Sequence, residues 1–204
     1  MRFWEIENVL ANLEGFQNPK LELEQYQTTS HLATMVIKTA HETFDDIEGK
    51  LIIDLGAGCG VLAVTCALAK SLFVIGIDID IDALEIAKIN TEDYCIDLVL
   101  GDALKAPYFL RSNFPDTVVM NPPFGTKQND GIDISFIKSS LLLCKHLNVY
   151  SFHKSSTRSY IERTIDGSKA IALMKFSLPK SYKFHKKESV DIEVDLVRTT
   201  KNTT

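Results

Sequence analysis

The 204-residue sequence has no apolar run that approaches the roughly 20 residues needed to span a bilayer. Its first ten residues mix charged and apolar side chains, unlike the basic, apolar and small-residue regions of a secretion signal. No internal repeat or low-complexity tract is visible. These absences favour a soluble, intracellular protein without membrane contact.

Cysteine is also scarce, with four residues that lie far apart at positions 59, 66, 95 and 144. None of them forms a CxxC pair or a Cys/His pair with metal-ligand spacing, and the histidines show no ligand spacing either. We therefore expect reduced thiols in a reducing compartment and no metal site.

The sequence also has no excess of basic residues. The 22 Lys and Arg residues are outnumbered by 27 Asp and Glu residues, so the net charge is −5. This charge argues against a surface that attracts nucleic acid everywhere. Any contact with RNA must therefore come from a local basic patch or from a partner.

The length suits one domain, residues 1–204, and a 45% apolar content is enough for a full core. Residues 1–48 form a predicted helical prefix, in which two runs of apolar residues recur at helical spacing. Ser30 is a candidate N-cap for the second run. Residues 50–198 alternate short apolar strands with helices, which predicts a mostly parallel sheet covered on both faces. Strands are predicted at residues 51–53, 72–77, 96–100, 117–120, 148–152, 170–176 and 190–197.

A glycine-rich loop follows the first predicted strand and precedes a helix, with the sequence DLGAGCG from Asp54 to Gly60. Glycines such as Gly56 and Gly58 allow a sharp turn and let a ligand approach the backbone closely. The next strand ends at Asp78, the spacing expected for a carboxylate that accepts from ribose hydroxyls. The pattern predicts a nucleoside site, and a plain tight turn is the alternative.

The spacing of the glycines points to the kind of nucleoside. A dinucleotide site would read GxGxxG, whereas this loop reads GxGxG and continues with Val61. The loop resembles the first motif of Rossmann-like S-adenosylmethionine methyltransferases. Asp102, after the third strand, matches the acid that such enzymes place against the cofactor adenine. NAD is the alternative cofactor.

A second motif, Asn121-Pro122-Pro123-Phe124, follows the fourth strand and so lies at the sheet edge where open α/β folds keep their sites. The prolines stiffen the loop and leave the Pro122 carbonyl free. That carbonyl and the Asn121 side-chain oxygen can both accept from one planar NH₂ group, which favours a pyramidal nitrogen with its lone pair toward the methyl group. Phe124 offers a flat face for a flipped base. The alternative is a proline turn that ends a strand.

Over nearly its whole length the sequence resembles the small ribosomal-RNA adenine N6-methyltransferases of the methyltransferase-like family, which modify small-subunit (18S) rRNA in eukaryotes. The resemblance implies a Rossmann-like class I α/β fold with a mostly parallel seven-stranded sheet and helices on both faces. Between Arg158 and Ser177 the chain is several residues shorter than is usual in that family. The similar segments are PKLELEQY (19–26), DLGAGCGVL (54–62), GIDIDIDALEI (76–86), VVMNPPFGTK (118–127), HKSSTR (153–158) and SYKFHKKESVDIEVDL (181–196).

The resemblance also implies site residues and partners. The prefix is expected to close over S-adenosyl-L-methionine, and Asn121 to Phe124 to form the catalytic loop. The family works as a heterodimer with a small zinc-binding activator subunit, and a nuclear, nucleolar and cytoplasmic location is expected. The expected cofactor contacts are Gln25, Thr28, Asp54, Gly56, Gly58, Cys59, Val61, Asp78, Asp102 and Ala103.

Basic residues cluster late in the sequence. Aromatic residues are interleaved with them, which favours contact with RNA phosphates over a merely solvated charge run. A looser basic group comprises Lys154, Arg158 and Arg163. The expected RNA-binding residues are Lys183, His185, Lys186 and Lys187.

The expected reaction is therefore methyl transfer to N6 of an adenosine in RNA. Guanine N2, DNA adenine and protein glutamine also present planar NH₂ groups and are alternative targets. A non-catalytic RNA-binding assembly factor is a further alternative, and it predicts erosion of Asp78, Asp102 or Asn121. All three residues are present.

Overall fold

A computed structural model describes residues 2–110, 115–125, 129–143, 148–179 and 189–200. The strands are β1 (Leu51–Leu55), β2 (Phe73–Asp78), β3 (Ile96–Leu100), β4 (Thr117–Met120), β5 (Asn148–Lys154), β6 (Ser168–Pro179) and β7 (Ser189–Thr200). The helices are α1 (Phe3–Leu10), α2 (Ser30–Lys38), α3 (Val61–Leu68), α4 (Ile81–Asn90), α5 (Ala106–Phe109), α6 (Ile132–Leu143) and α7 (Arg158–Thr164).

All seven strands belong to one sheet, in the order β3-β2-β1-β4-β5-β7-β6. The first five strands in this order pair in parallel, whereas β7 lies antiparallel between β5 and β6. The predicted mostly parallel, seven-stranded sheet is therefore confirmed.

Helices cover both faces of the sheet, as predicted. Neighbouring residues of a central strand point to opposite faces. Ile52 packs into the core cluster that contains α1, α2 and α3, whereas Ile53 packs into the cluster that contains α6 and Ile161 of α7. All four residues of β4 are buried, as expected for a strand that is covered on both faces.

The prefix contains the two helices expected from its periodicity, α1 and α2, which pack against each other and against α3. The predicted N-cap of α2 is wrong by one residue. Thr29 keeps an extended backbone and its hydroxyl accepts from the Leu32 N–H at 3.3 Å, whereas Ser30 is already helical. The shortened stretch after Arg158 still forms a helix, α7.

The strand order places a switch point beside β1, whose two neighbours are β2 and β4. The chain leaves β1 and β4 at the same edge of the sheet, and crevices at such points are the usual ligand sites of open α/β folds. Within the described ranges, no helix has both the length and the apolar composition to cross a membrane.

Candidate active site

A cleft of about 980 Å³, including its open mouth, lies at this switch point. It is lined by the loops that follow β1, β2, β3 and β4, together with the prefix between α1 and α2 and part of α6. The structure thus brings together residues that are spread over more than half of the sequence. The predicted site residues that line the cleft are Gln25, Thr28, Asp54, Gly56, Gly58, Cys59, Val61, Asp78, Asp102, Ala103, Asn121 and Pro123.

The glycine loop forms one wall of the cleft. Gly58 has a φ of +53°, and a Cβ atom there would lie only 2.9 Å from Cζ of Phe16. A side chain at this position would therefore strain the backbone and collide with the prefix. Next to it, Cys59 is buried, and burial raises the pKa of its thiol to about 12, so the thiol stays protonated and is not a nucleophile.

Asp78 ends β2 beside this loop. Its Oδ2 accepts from the Gly58 N–H at 2.7 Å, and its Oδ1 accepts from the Asp80 N–H at 2.9 Å. Burial raises the pKa of Asp78, and these two hydrogen bonds oppose the rise. Each carboxylate oxygen has a second lone pair, so both can still accept from a ligand in the cleft.

Asp54, at the base of the cleft, is only 1% exposed. Its Oδ2 accepts from the Ala63 N–H at 3.0 Å, but no described residue donates to the buried Oδ1. Burial raises the pKa of this carboxyl to about 7. An orphaned acceptor is rare in protein interiors, and a ligand that donates at the base of the cleft would supply the missing partner.

Asp102 lies on another side of the cleft, directly after β3. Its Oδ1 accepts from the Leu104 N–H at 2.9 Å, and its Oδ2 is 3.5 Å from the Lys105 ammonium. The side chain of Asp102 is partly exposed, and Ala103 beside it is buried. This places an acceptor and a small apolar residue side by side, which suits the edge of an aromatic base.

Gln25 lines the cleft, but both ends of its amide already have protein partners. Its Nε2 donates to Oδ2 of Asp80 at 2.6 Å, and its Oε1 accepts from the Lys20 N–H at 2.7 Å. The Lys20 ammonium also contacts both Asp80 and Asp82, at 2.5 and 2.7 Å. These bonds fasten the prefix to the start of α4, two residues beyond Asp78.

The prolyl loop closes the other side of the cleft. Asn121 directly follows β4, and its Nδ2 donates to Oγ1 of Thr28 at 2.9 Å. Pro122 is buried, and Phe124 packs partly buried against the core. Neither of these two residues lines the cleft, so the stacking role of Phe124 remains a prediction.

Several residues of the site have no place in the sequence-based prediction, and three of them have evident roles in shaping it. Phe16 and Phe136 line the cleft, and Asn90 donates to the carbonyl oxygens of Cys59 and Glu14 at 2.8 and 2.9 Å. Phe16 lies three residues before the first similar segment, residues 19–26, and this proximity was a usable signal. Asn90 and Phe136 are helix positions that only packing brings to the site.

The predicted RNA-binding residues Lys183, His185, Lys186 and Lys187 lie outside the described residues, and their role remains a prediction. In the looser basic group, Arg158 makes a bidentate ion pair with the buried Asp195, at 2.7 and 2.6 Å. Such a pair holds the guanidinium to the protein.

Known proteins are similar to this chain over nearly its whole length. Residues 29–146 match the family model "Methyltransferase small domain". The chain is 45% identical to the rRNA N(6)-adenosine-methyltransferase METTL5 of Danio rerio, covering 98% of this chain and 99% of the relative. It is 43% identical to the rRNA N(6)-adenosine-methyltransferase metl-5 of Caenorhabditis elegans, covering 93% of each.

Among solved structures, PH1948 from Pyrococcus horikoshii superimposes with a TM-score of 0.83 at 32% identity, covering 98% of this chain and 99% of that one. The agreement thus extends over the prefix and the last strands as well as the glycine loop. The chain therefore belongs to the methyltransferase small domain family and, within it, to the group that contains these rRNA N(6)-adenosine-methyltransferases.

Proposed function

We propose that this protein transfers a methyl group from S-adenosylmethionine to N6 of an adenosine in RNA. The observation that carries the proposal is that a single cleft joins Asp54 and Asp78, which suit a charged nucleoside, to Asn121, which suits a planar amine. Methyl transfer from a nucleoside cofactor to an amine requires that the residues for the cofactor and the residues for the amine lie at one site. The names of the full-length relatives support adenosine in rRNA as the acceptor.

The cleft residues fit S-adenosylmethionine. Asp78 offers acceptors to two ribose hydroxyls, and Asp102 offers one to the adenine amine. The orphaned Oδ1 of Asp54 suits the ammonium group of the methionine part, because a positive donor would satisfy that oxygen and balance its charge. When bound, the cofactor supplies an electrophilic methyl group on a positively charged sulfur.

The prolyl loop would orient and activate the amine. Oδ1 of Asn121 and the carbonyl oxygen of Pro122 would each accept one N–H of the adenine amine, which turns the nitrogen lone pair toward the methyl carbon. As the new C–N bond formed and the sulfur–methyl bond broke, with its electron pair left on sulfur, the amine nitrogen would become positive. The two dipoles would stabilise this charge until the extra proton left to solvent. Positioning and electrostatics therefore carry the reaction, and no strong base is needed.

We propose that the acceptor is a small-subunit (18S) rRNA and that the protein acts on it in the nucleus, nucleolus or cytoplasm.

We further propose a heterodimer with the small zinc-binding activator subunit that the resemblance implies. In support, β3 is an edge strand among the described elements, and Leu100 at its end and Ile81 and Ile89 of the neighbouring α4 are at least half exposed. An open strand edge with exposed apolar side chains can be covered by a second chain.

The partner proposal can be tested by co-purification of the tagged full chain with the activator subunit. Replacing Leu100 by Asp should abolish co-purification, because a charge would be buried at the proposed contact. Leu173, which is 57% exposed on β6, provides the matched control as Leu173→Asp. Equal recovery of the subunit with both variants would move the contact elsewhere.

The catalytic proposal is tested by methyl transfer in vitro. The full chain with its activator subunit is incubated with isotopically labelled S-adenosylmethionine and rRNA from cells that lack this protein, and the RNA is digested to nucleosides. We expect label in N6-methyladenosine, and about 100-fold less with Asn121→Ala. Label in N2-methylguanosine or in protein would contradict the proposed target. Absence of label everywhere would favour a non-catalytic RNA-binding factor.

A further inference from the structure

The hydrogen bond between Thr28 and Asn121 joins two parts of the molecule that are 93 residues apart in sequence. Thr28 belongs to the prefix and is 8% exposed, and Asn121 is the first residue of the prolyl loop. Both residues line the cleft. The bond therefore links the prefix, which covers the proposed cofactor region, to Asn121, the side chain proposed to bind the amine.

The direction of this hydrogen bond determines whether the Asn121 side chain can accept from the substrate amine. With Nδ2 donating to Thr28 at 2.9 Å, Oδ1 is left for the adenine amine, and no described residue donates to it. A rotated amide would instead accept from the Thr28 hydroxyl and turn its own NH₂ toward the amine. Two NH₂ groups would then face each other, and no acceptor would remain for the substrate.

The protein alone does not select between these orientations, since a threonine hydroxyl can donate or accept. In the structure Thr28 accepts from Asn121, and no described residue accepts the hydroxyl proton of Thr28. A group in the cleft that can only accept would take this proton. It would thereby hold Thr28 as an acceptor toward Asn121.

We propose that Thr28 is a positioning residue that sets the amide orientation of Asn121, and that it does so by donating its hydroxyl proton to the carboxylate of the bound cofactor. This inference rests on the proposed function, because it assigns the carboxylate to S-adenosylmethionine. The bound cofactor thus holds Asn121 in the acceptor orientation, so the receptive state for the adenine amine is fixed when the methyl donor is in place.

The backbone around Thr28 is anchored well enough for this role. Gln25, three residues earlier, is bonded to Asp80, and Thr29 caps α2. On the other side, Nδ2 of Asn129 donates to the Glu22 carbonyl at 3.1 Å and to Glu24 at 3.2 Å, which ties the chain beyond the prolyl loop to the same stretch of prefix. These bonds therefore hold Thr28 in a defined position next to Asn121.

The first test uses Thr28→Val, which keeps the shape and removes the hydroxyl, with Thr28→Ser as the conservative control. At saturating cofactor, we expect Thr28→Val to lower the single-turnover rate about tenfold, the usual value of one lost orienting hydrogen bond, and Thr28→Ser to retain most of it. In an Asn121→Ala background, Thr28→Val should cause no further loss. An equal loss in both backgrounds would overturn the proposal, because Thr28 would then act without Asn121.

The second test does not depend on turnover. The side-chain NH₂ signal of Asn121 in the full chain, assigned by its disappearance in Asn121→Ala, is followed by nitrogen–proton NMR. S-adenosylhomocysteine carries the carboxylate and should shift this signal in the native protein and in Thr28→Ser, but much less in Thr28→Val. 5′-Methylthioadenosine, which lacks the carboxylate, should leave it nearly unchanged.

The outcomes separate this inference from the proposed function. Binding of S-adenosylhomocysteine in calorimetry without a shift of the Asn121 signal overturns the role of Thr28 alone. An equal shift with 5′-methylthioadenosine does the same, since the carboxylate would then be irrelevant. Failure of S-adenosylhomocysteine to bind the native protein at all overturns the proposed function and this inference with it.

Discussion

Asp54 allows a quantitative test of the proposed cofactor site, because its carboxylate is buried without a full set of hydrogen-bond partners. Burial raises its pKa from 3.8 to about 7, so the folded protein holds the proton more tightly than the unfolded chain does. The free energy of unfolding of the cofactor-free protein therefore falls as the pH rises from about 4 to about 7. At about 1.4 kcal/mol per pH unit, the full loss is about 4 kcal/mol.

Asp54→Asn keeps the shape and an acceptor for the Ala63 N–H but cannot ionise. Between pH 5 and pH 7.5, where much of the native carboxyl loses its proton, we expect the stability of the variant relative to the native protein to increase by about 2–3 kcal/mol. For a chain of this length, that difference corresponds to roughly 4–12 °C in Tm. Urea unfolding at a series of pH values measures it, with Asp97→Asn on the exposed face of β3 as the control.

Asp54→Asn should weaken cofactor binding, although it should stabilise the cofactor-free protein at neutral pH. Removing the charge of Asp54 takes away the partner proposed for the ammonium group, so we expect about tenfold weaker binding of S-adenosylhomocysteine at pH 8 by calorimetry. A variant that is more stable but binds less tightly would support both conclusions drawn from the orphaned oxygen. A stability difference that does not depend on pH, or unchanged affinity, would refute the reasoning.

Three further predictions address the rest of the site. Asp78→Ala should weaken cofactor binding by about 1.5–3 kcal/mol in calorimetric titration, because two ribose hydroxyls lose a charged acceptor; unchanged affinity would remove Asp78 from the site. Asn121→Ala should leave cofactor affinity nearly intact and slow single-turnover methylation about 100-fold, and a comparable rate would exclude the two-acceptor mechanism. Replacing Lys183, Lys186 and Lys187 by Glu should weaken RNA binding and reduce its log–log salt slope by about 2–3, without changing cofactor affinity; an unchanged slope would place the RNA surface elsewhere.

The sequence by itself determined the parts of the site that depend on local chemistry. The loop around Gly58 and the acid Asp78 could be recognised because a positive φ favours glycine and because strand ends meet at one sheet edge. Asn121 could be placed at the same edge, since it follows a short apolar run that forms β4. Spacing and residue type carry this information without knowledge of the distant contacts.

Only the tertiary structure decided how the prefix serves the site. Gln25 was expected to contact the cofactor, and the structure adds that its amide bonds to Asp80, 55 residues away in sequence, and to the backbone of Lys20. Thr28 was placed with the cofactor residues, and the structure adds its bond to Asn121. A short polar stretch without periodicity can bond to many partners. Its actual partners depend on how the prefix helices pack across the sheet edge, and that packing involves residues far apart in the chain.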